Sequence, residues 1–381
     1  MSVKKLKHTK EESLLTTIYE ARRALLKTHL TENDIDAVMI TSPANVYYYT
    51  GFNSEPHERF MSIIIDTRAD ESYLFVPALD KEAAMQESDI TNIIPISDEQ
   101  MPFDIVQQTV GEIAKTVGIE AKALSYDRYT SLLMAFPHVQ VVDVQPFINT
   151  QRMRKSKDEI GQIMKAIEII ERVLAEGIKK VKIGMTESEL TAELEFLMRT
   201  FGADGTSFST IVLTGEKAAL PHGSPGERKI QQGDYLLIDF GVVKDGYCSD
   251  ITRTFIIGEA SDKQKEIYDI VLQSNEAGIN AVQAGVPLKT FDIAARNVII
   301  EQGYGDYFNN RVGHGLGIEV HEEPSIHQNN EDLAEKGLVF TIEPGIYIPE
   351  VGGVRIEDIV YINEEGQVEV LTSFPKQLQI L

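Results

Sequence analysis

Apolar residues between Glu12 and Leu30 recur at helical spacing and leave a polar face, which predicts an amphipathic helix. Ala37–Ile40 is a short apolar run of strand type. Ser62–Asp66 and Ser72–Val76 read as a strand pair, and Val139–Val144 as another strand. Helices and strands thus alternate over the first part of the chain. The stretch from Ser42 to Phe52, rich in turn formers and tyrosines, reads as a loop, and Pro56-His57-Glu58-Arg59 follows it. An aromatic loop with clustered charge is a candidate functional segment.

Gln145–Lys157 is the expected domain boundary, with Pro146 and the basic run Arg152-Met153-Arg154-Lys155. The predicted division is residues 1–148 and residues 149–381. Ser156 and Glu159 form a capping-box pattern that opens an amphipathic helix carrying Ile160, Ile163, Met164 and Ile167. Beyond it lies a weak internal repeat. Two helical pairs, with caps at Thr186/Glu189 and Ser261/Gln264, are followed by strands that each bear two acids. Gly184 and Gly202 in the first half match Gly285 and Gly303 in the second. The acid pairs are Asp239/Asp250 and Glu343/Glu357. This arrangement predicts two similar α+β halves, each giving a carboxylate pair to a shared centre.

Composition narrows the function. With 36 Lys+Arg against 59 Asp+Glu, the net charge of −23 argues against nucleic-acid binding and against anionic membrane surfaces. No apolar run approaches the ~20 residues that span a bilayer. Met1–Glu12 is Lys-rich, without an apolar signal segment, and the single cysteine, Cys248, excludes an internal disulfide framework. A reducing cytoplasm is the expected compartment.

The acids carry the chemistry. Two β-prone runs flank Lys244-Asp245-Gly246, a hairpin turn signal. A two-residue loop at Lys244-Asp245 puts Asp239 opposite Asp250; one at Asp245-Gly246 makes them diagonal neighbours. Either register places both carboxylates on one face, because side chains alternate along a strand. Asp239 follows the apolar run Leu236-Leu237-Ile238, and a buried carboxylate needs a countercharge. His314 lies in a loop between Gly313 and Gly315, with His321 seven residues on. Glu343 precedes a Pro-Gly turn, and Arg355 and Glu357 are expected to share a strand face. On its own, an Arg–Glu pair of this spacing is a common surface feature that contributes little. Asp239, Asp250, His314, Glu343 and Glu357 together form an oxygen-rich set suited to a pair of divalent cations. Such a pair would generate a hydroxide nucleophile at neutral pH.

The order of these residues, with Pro221-His222-Gly223, Gly313-His314-Gly315, Val320-His321-Glu322, Glu343-Pro344-Gly345 and Arg355-Ile356-Glu357, resembles the pita-bread metallopeptidases (creatinase, aminopeptidase P, prolidase). The match runs from about residue 150 to the end, and bacterial Xaa-Pro dipeptidases are most similar. The resemblance implies a C-terminal pita-bread catalytic domain behind an N-terminal α/β creatinase-type domain. It implies two divalent metal ions per subunit, Mn or Co before Zn, and hydrolysis of Xaa-Pro dipeptides. Aminopeptidase P activity on longer Xaa-Pro peptides and a silent peptide- or protein-binding module are the alternatives. In this comparison Glu343 is the proton shuttle, His222 lines the substrate pocket, and His321 contacts the scissile carbonyl. Arg355 holds His321 or the substrate carboxylate. A homodimer is implied, in which His57, Glu58 and Arg59 cap the neighbouring site. One position departs from the pattern: Asn310 stands where relatives carry His, so Asn310, beside Arg311, is expected to alter rate or specificity. Short proline-containing peptides are the implied partners.

Overall fold

The computed structural model describes residues 17–112 and 115–381. These form two compact units that part between Ile148 and Asn149.

The first unit is built on α1 (Ile18–Glu32), β1 (Ala37–Ile40), α2 (Pro43–Thr50), β2 (Ser62–Asp66), β3 (Glu71–Pro77), α3 (Lys81–Glu87), β4 (Asn92–Ile96), α4 (Pro102–Val110), β5 (Thr116–Ile119), α5 (Tyr126–Ala135) and β6 (Gln140–Asp143). The strands form one mixed sheet in the order β4-β3-β2-β1-β5-β6. The first four predicted strands are present, and β2 and β3 pair antiparallel. Helix α1 is capped by Thr17, whose hydroxyl accepts from Glu20 N; the earlier part of its predicted span, Glu12–Thr16, lies outside the described residues. The aromatic segment after Ser42 is a helix rather than a loop. Pro43 suits a first turn, where its missing N–H costs nothing, and Gly51 closes the helix at φ 79°. The fully buried Glu120 carboxylate fixes the start of α2 by accepting from Thr41 N and Ser42 N at 2.6 and 2.9 Å.

The expected boundary stretch is also largely helical: α6 spans Gln145–Met153, with Pro146 again tolerated in a first turn. The second unit continues with α7 (Lys157–Gly177), α8 (Glu187–Thr200), β7 (Gly205–Thr206), β8 (Ile211–Thr214), β9 (Tyr235–Phe240), β10 (Val242–Lys244), β11 (Tyr247–Cys248) and β12 (Ile251–Ile256). A second half repeats the plan: α9 (Asp262–Asn280), α10 (Lys289–Glu301), β13 (Gly313–Gly315), β14 (Glu322–Ile326), β15 (Val339–Ile342), β16 (Gly345–Ile348), β17 (Gly352–Arg355), β18 (Asp358–Ile362) and β19 (Val368–Val370). All three capping boxes read from the sequence form, at Ser156, Thr186 and Ser261. The matched glycines also agree in conformation. Gly184 and Gly285 have φ of 88° and 85°, Gly202 and Gly303 of 96° and 82°, in the left-handed region open to glycine.

Strand β9 is buried on both faces. Leu236, Ile238 and Phe240 pack with Ile170, Leu174, Leu190 and Leu194 of α7 and α8. Tyr235 and Leu237 turn the other way, toward a core shared with Phe291, Phe340, Ile342 and Val354 of the second half. By alternation Asp239 follows Leu237 into the space between the halves. A carboxylate is thereby carried into the middle of an apolar layer.

Candidate metal centre and substrate pocket

The hairpin that supplies the first acid pair adopts the second of the two possible registers. Val243 pairs with Cys248 and Lys244 with Tyr247, so Asp245 and Gly246 form the turn, both with positive φ (50° and 80°). The same register runs on into β9 and β12, where Thr252 lies opposite Asp239. Asp250, two residues before Thr252, is therefore the diagonal neighbour of Asp239 on the same face.

The second half brings three more groups to this face. His314 sits on the buried three-residue strand β13, not in a loop. Its flanking glycines serve backbone approach: a Cβ on Gly313 would lie 1.8 Å from the Thr341 carbonyl oxygen. Glu343 directly follows β15, its N–H donating to the Val312 carbonyl at 2.7 Å. Glu357 falls between β17 and β18, not on a strand with Arg355. The reason is that its N–H donates across the halves to the Thr252 carbonyl (3.2 Å), while Arg253 donates to the Glu357 carbonyl.

The Nε2 of His314 lies 3.2 Å from Glu343 Oε1 and 3.7 Å from Asp250 Oδ2. Its Nδ1 is 3.1 Å from the Gly315 carbonyl, which can only accept. Nδ1 therefore donates there, and Nε2 is the nitrogen that faces the carboxylates, where it would bind a cation. Asp250, His314 and Glu357 each offer a ligand atom within 4.8 Å of the others. Asp250 Oδ1 and Glu357 Oε1 are buried with no hydrogen-bond partner among the described residues. Burial, then repulsion from the surrounding carboxylates (Glu357, Asp239 and Glu343 on Asp250; Glu343 and Asp239 on Glu357), pushes Asp250 and Glu357 well above ordinary carboxylate values. Burial raises Asp239 too, against the opposing charge of Arg355. Glu343 is instead held low: His314, Arg355 and Arg311 outweigh its burial. Unpartnered carboxylate oxygens crowded in an apolar interior call for positive charge, so the donor set fits divalent cations.

A cavity of about 400 Å³ opens over this cluster, and all five predicted ligands line it together with His222, His321, Asn310, Arg311 and Arg355. The His321 ring meets His314 edge-on, centroids 4.2 Å apart. Burial and the neighbouring His314 and Arg311 lower it to about 4, so it is neutral at pH 7. Arg355 forms no surface pair with Glu357, and among the described residues it makes no hydrogen bond to His321. It is buried and pairs with Asp239, while also donating to Tyr347 Oη (2.8 Å) and Thr252 Oγ1 (3.1 Å). The guanidinium is needed there because Asp239 has been carried into the core. Asn310 Nδ2 donates to the Arg311 carbonyl at 3.0 Å, and its buried Oδ1 has no partner among the described residues. His57 and Arg59 belong to the first unit. There Arg59 pairs with Asp98 (2.8 Å) and Glu58 (3.0 Å), and His57 sits in a turn at φ 55°.

Sequence reasoning passed over Tyr347, Phe208 and Thr252. Tyr347 and Phe208 line the pocket, and Thr252 donates to Glu357 Oε2 at 2.7 Å. A signal for Thr252 existed, since the chosen register puts it opposite Asp239. Tyr347 and Phe208 arrive through tertiary packing and left none. Among the described residues, no helix is long and apolar enough to cross a membrane.

Comparison with known proteins agrees with this geometry. Residues 161–364 match the model of metallopeptidase family M24, and residues 22–154 match the creatinase/prolidase N-terminal domain. An uncharacterized peptidase of Staphylococcus aureus is 41% identical over 91% of this chain and 97% of its own length. Among solved structures, the prolidase from Pyrococcus furiosus is similar, with a TM-score of 0.83 and 39% identity over 91% of this chain and 99% of that one. An X-Pro aminopeptidase from Thermotoga maritima matches with a TM-score of 0.86 and 36% identity over 94% and 99%. A family model over more than half of the sequence and relatives this similar along their whole length leave one conclusion: this chain belongs to metallopeptidase family M24 and has the pita-bread fold.

Proposed function

We propose that this metallopeptidase is an Xaa-Pro dipeptidase working with two divalent ions, Mn or Co before Zn. The observation that carries the reading is the disposition of cations in the pocket. Arg355 is committed to Asp239, whereas Arg311 reaches the cavity with only the Ser325 hydroxyl, at 3.1 Å, as hydrogen-bond partner among the described residues. A guanidinium so placed suits the terminal carboxylate of a short peptide. The cavity volume also sits at the small end for ligand sites.

Asp239, Asp250, His314, Glu343 and Glu357 would hold the cations, whose Lewis acidity polarises the scissile carbonyl and acidifies a water. Glu343, held low and next to His314, is the carboxylate best placed to take a proton from that water and return it to the leaving nitrogen. Neutral His321 donates a hydrogen bond toward the developing oxyanion. His222 lines the same pocket and is placed to meet the substrate. Proline's imide has no N–H, so recognition through the two ends of the substrate suits such a bond. The same reading includes a homodimer in a reducing cytoplasm, with the turn at His57–Arg59 capping a neighbouring site.

The test is hydrolysis of Xaa-Pro, Xaa-Pro-Yaa and Xaa-Ala peptides by Mn²⁺-loaded protein. Xaa-Pro dipeptides are expected to be cut fastest, with Arg311→Ala raising KM far more than it lowers kcat. Faster cleavage of tripeptides would make the chain an aminopeptidase instead, as the likeness to the Thermotoga protein allows.

A further inference from the structure

His321 depends for its position on something other than its own contacts. Its ring makes no hydrogen bond among the described residues and meets the His314 ring edge-on. The β-ladder does not hold it either. Strand β13 pairs His314 with Ser325 and then jumps to Gly315 with Glu322, so pairing stops one residue short of His321. The backbone on either side of the ring must therefore be fixed by other means.

The residue that follows supplies that anchor. The Glu322 side chain is 5% exposed and lies between two cations, Arg152 and Lys155, themselves 7% and 1% exposed. Lys155 Nζ donates to Glu322 Oε2 at 3.0 Å, and Arg152 donates to Oε1. The Glu319 N–H also donates to Oε1, at 3.0 Å, closing the loop that carries His321 into a ring around this carboxylate. Arg152 reaches Glu319 as well, at 2.8 Å. Lys155 is fixed to the catalytic core by its own N–H, which donates to the Gly337 carbonyl at 2.9 Å. On the far side of the loop, Cys248 N donates to the Gly317 carbonyl at 2.7 Å and Cys248 Sγ to the Ile318 carbonyl at 3.4 Å. Cys248 stands two residues before Asp250 on the same hairpin. One loop is thus fastened both to the metal-binding hairpin and to a buried ion cluster.

Burying three charges is a poor way to gain stability, since apolar side chains of equal volume commonly do as well or better. What an ion cluster adds is a directional, fixed geometry. We infer that Glu322, gripped by Lys155 and Arg152, is a positioning residue that sets the His321 imidazole over the scissile carbonyl. The inference rests on the proposed role of His321 toward substrate. A displacement of about 1 Å at a catalytic group can cost about 100-fold in rate, and loss of an outer partner typically costs about 10- to 100-fold.

The experiment is a double-mutant cycle joining Glu322→Gln or Lys155→Met to His321→Ala, on Xaa-Pro hydrolysis and metal content. Each clamp variant alone is expected to lower kcat about 10-fold or more, with KM and bound metal unchanged. In the His321→Ala background the same change is expected to have no further effect, because the group it positions is gone. Full additivity, or an unaltered kcat, overturns the inference and assigns the cluster to stability alone. Lys155→Met leaves Arg152 on Glu322 and so preserves the fold if Glu322→Gln does not. A second readout needs no substrate: the His321 Cε1–H resonance of Zn²⁺-loaded protein, assigned by His321→Ala, is expected to shift and broaden in both clamp variants. If that resonance moves while no proline peptide is cut, the substrate reading fails and the clamp stands; if it is unmoved, the clamp fails whatever the activity.

Discussion

Replacing Arg355 with methionine removes the countercharge of a carboxylate that the fold has carried into its apolar layer. Arg355 and Asp239 are both buried, and burial raises Asp239 even with Arg355 opposing. Breaking such a pair leaves an uncompensated charge and costs about 3 to 5 kcal/mol. Protonation limits the loss. A carboxyl with an ordinary value of 3.8 takes up a proton at pH 7 for about 4 kcal/mol, but at pH 5 for under 2 kcal/mol. Burial already raises folded Asp239 above its unfolded value in the parent, and loss of Arg355 raises it further, so the variant's stability falls more steeply than the parent's as pH rises from about 4 toward neutrality. The deficit against the parent is therefore expected to be about 3 to 4 kcal/mol at pH 7 and roughly half that at pH 5. Added Mn²⁺ supplies positive charge to Asp239 and is expected to narrow the gap at pH 7. Urea unfolding followed by circular dichroism, with and without metal at the two pH values, measures all four numbers. A deficit below about 1 kcal/mol, or one independent of both pH and metal, would refute the reasoning.

Other outcomes follow from the same geometry. Chelation is expected to abolish peptide hydrolysis, Mn²⁺ or Co²⁺ to restore it, and Asp250→Asn or Glu357→Gln to lower the metal content read by elemental analysis. Gly241→Ala would place a Cβ 2.0 Å from the Ser249 carbonyl oxygen and 2.2 Å from Ser207 Oγ, between the two acids of the hairpin. Overpacking there is expected to cost about 3 kcal/mol or more and to weaken metal binding, whereas alanine at exposed Gly161, which meets nothing within 4 Å, is expected to do neither. Burial of Glu322 is outweighed by Lys155 and Arg152, which hold it down to about 2 from 4.5. Its folded value is depressed, so its contribution of about 3 kcal/mol is present above pH 4.5 and is lost as pH falls toward 2. Against Glu322→Gln, the parent's advantage in unfolding midpoint is expected to shrink across that window and nowhere above it.

The features legible in the sequence are those governed by local rules. Capping boxes, paired glycines and the Lys244–Gly246 turn each depend on a few neighbouring residues, and the period-2 rule placed Asp239 and Asp250 on one face in either register. The choice of register needed the turn's actual backbone, where Asp245 accepts φ 50° beside Gly246. Two tertiary overrides account for the segments misread as loops. The tyrosine segment after Ser42 reads as a loop because its helix is short and is started by a carboxylate some 75 residues away, Glu120 on Asn45. His314 reads as a loop residue because glycines usually break structure, whereas here they let β13 press against its neighbours.

Arg355 shows how a spacing rule can be right about chemistry and wrong about partner. Two residues from Glu357, it is expected on that residue's face; the chain leaves strand geometry at Ile356, and the two side chains take different charged and backbone partners. Glu357 is then held by the Thr252 backbone and hydroxyl, and Arg355 by the carboxylate opposite Thr252. A single threonine on the first half's hairpin thus touches both residues of the second half's motif. The two halves do more than face each other across a cluster of acids. The Glu357 N–H donates to the Thr252 carbonyl and the Arg253 side chain to the Glu357 carbonyl, so the spacing of the acid pairs is tied to the inter-half joint itself. A centre built this way cannot be opened by moving one ligand at a time, and His222, His321, Asn310 and Arg311 line the cavity beside it without entering that joint.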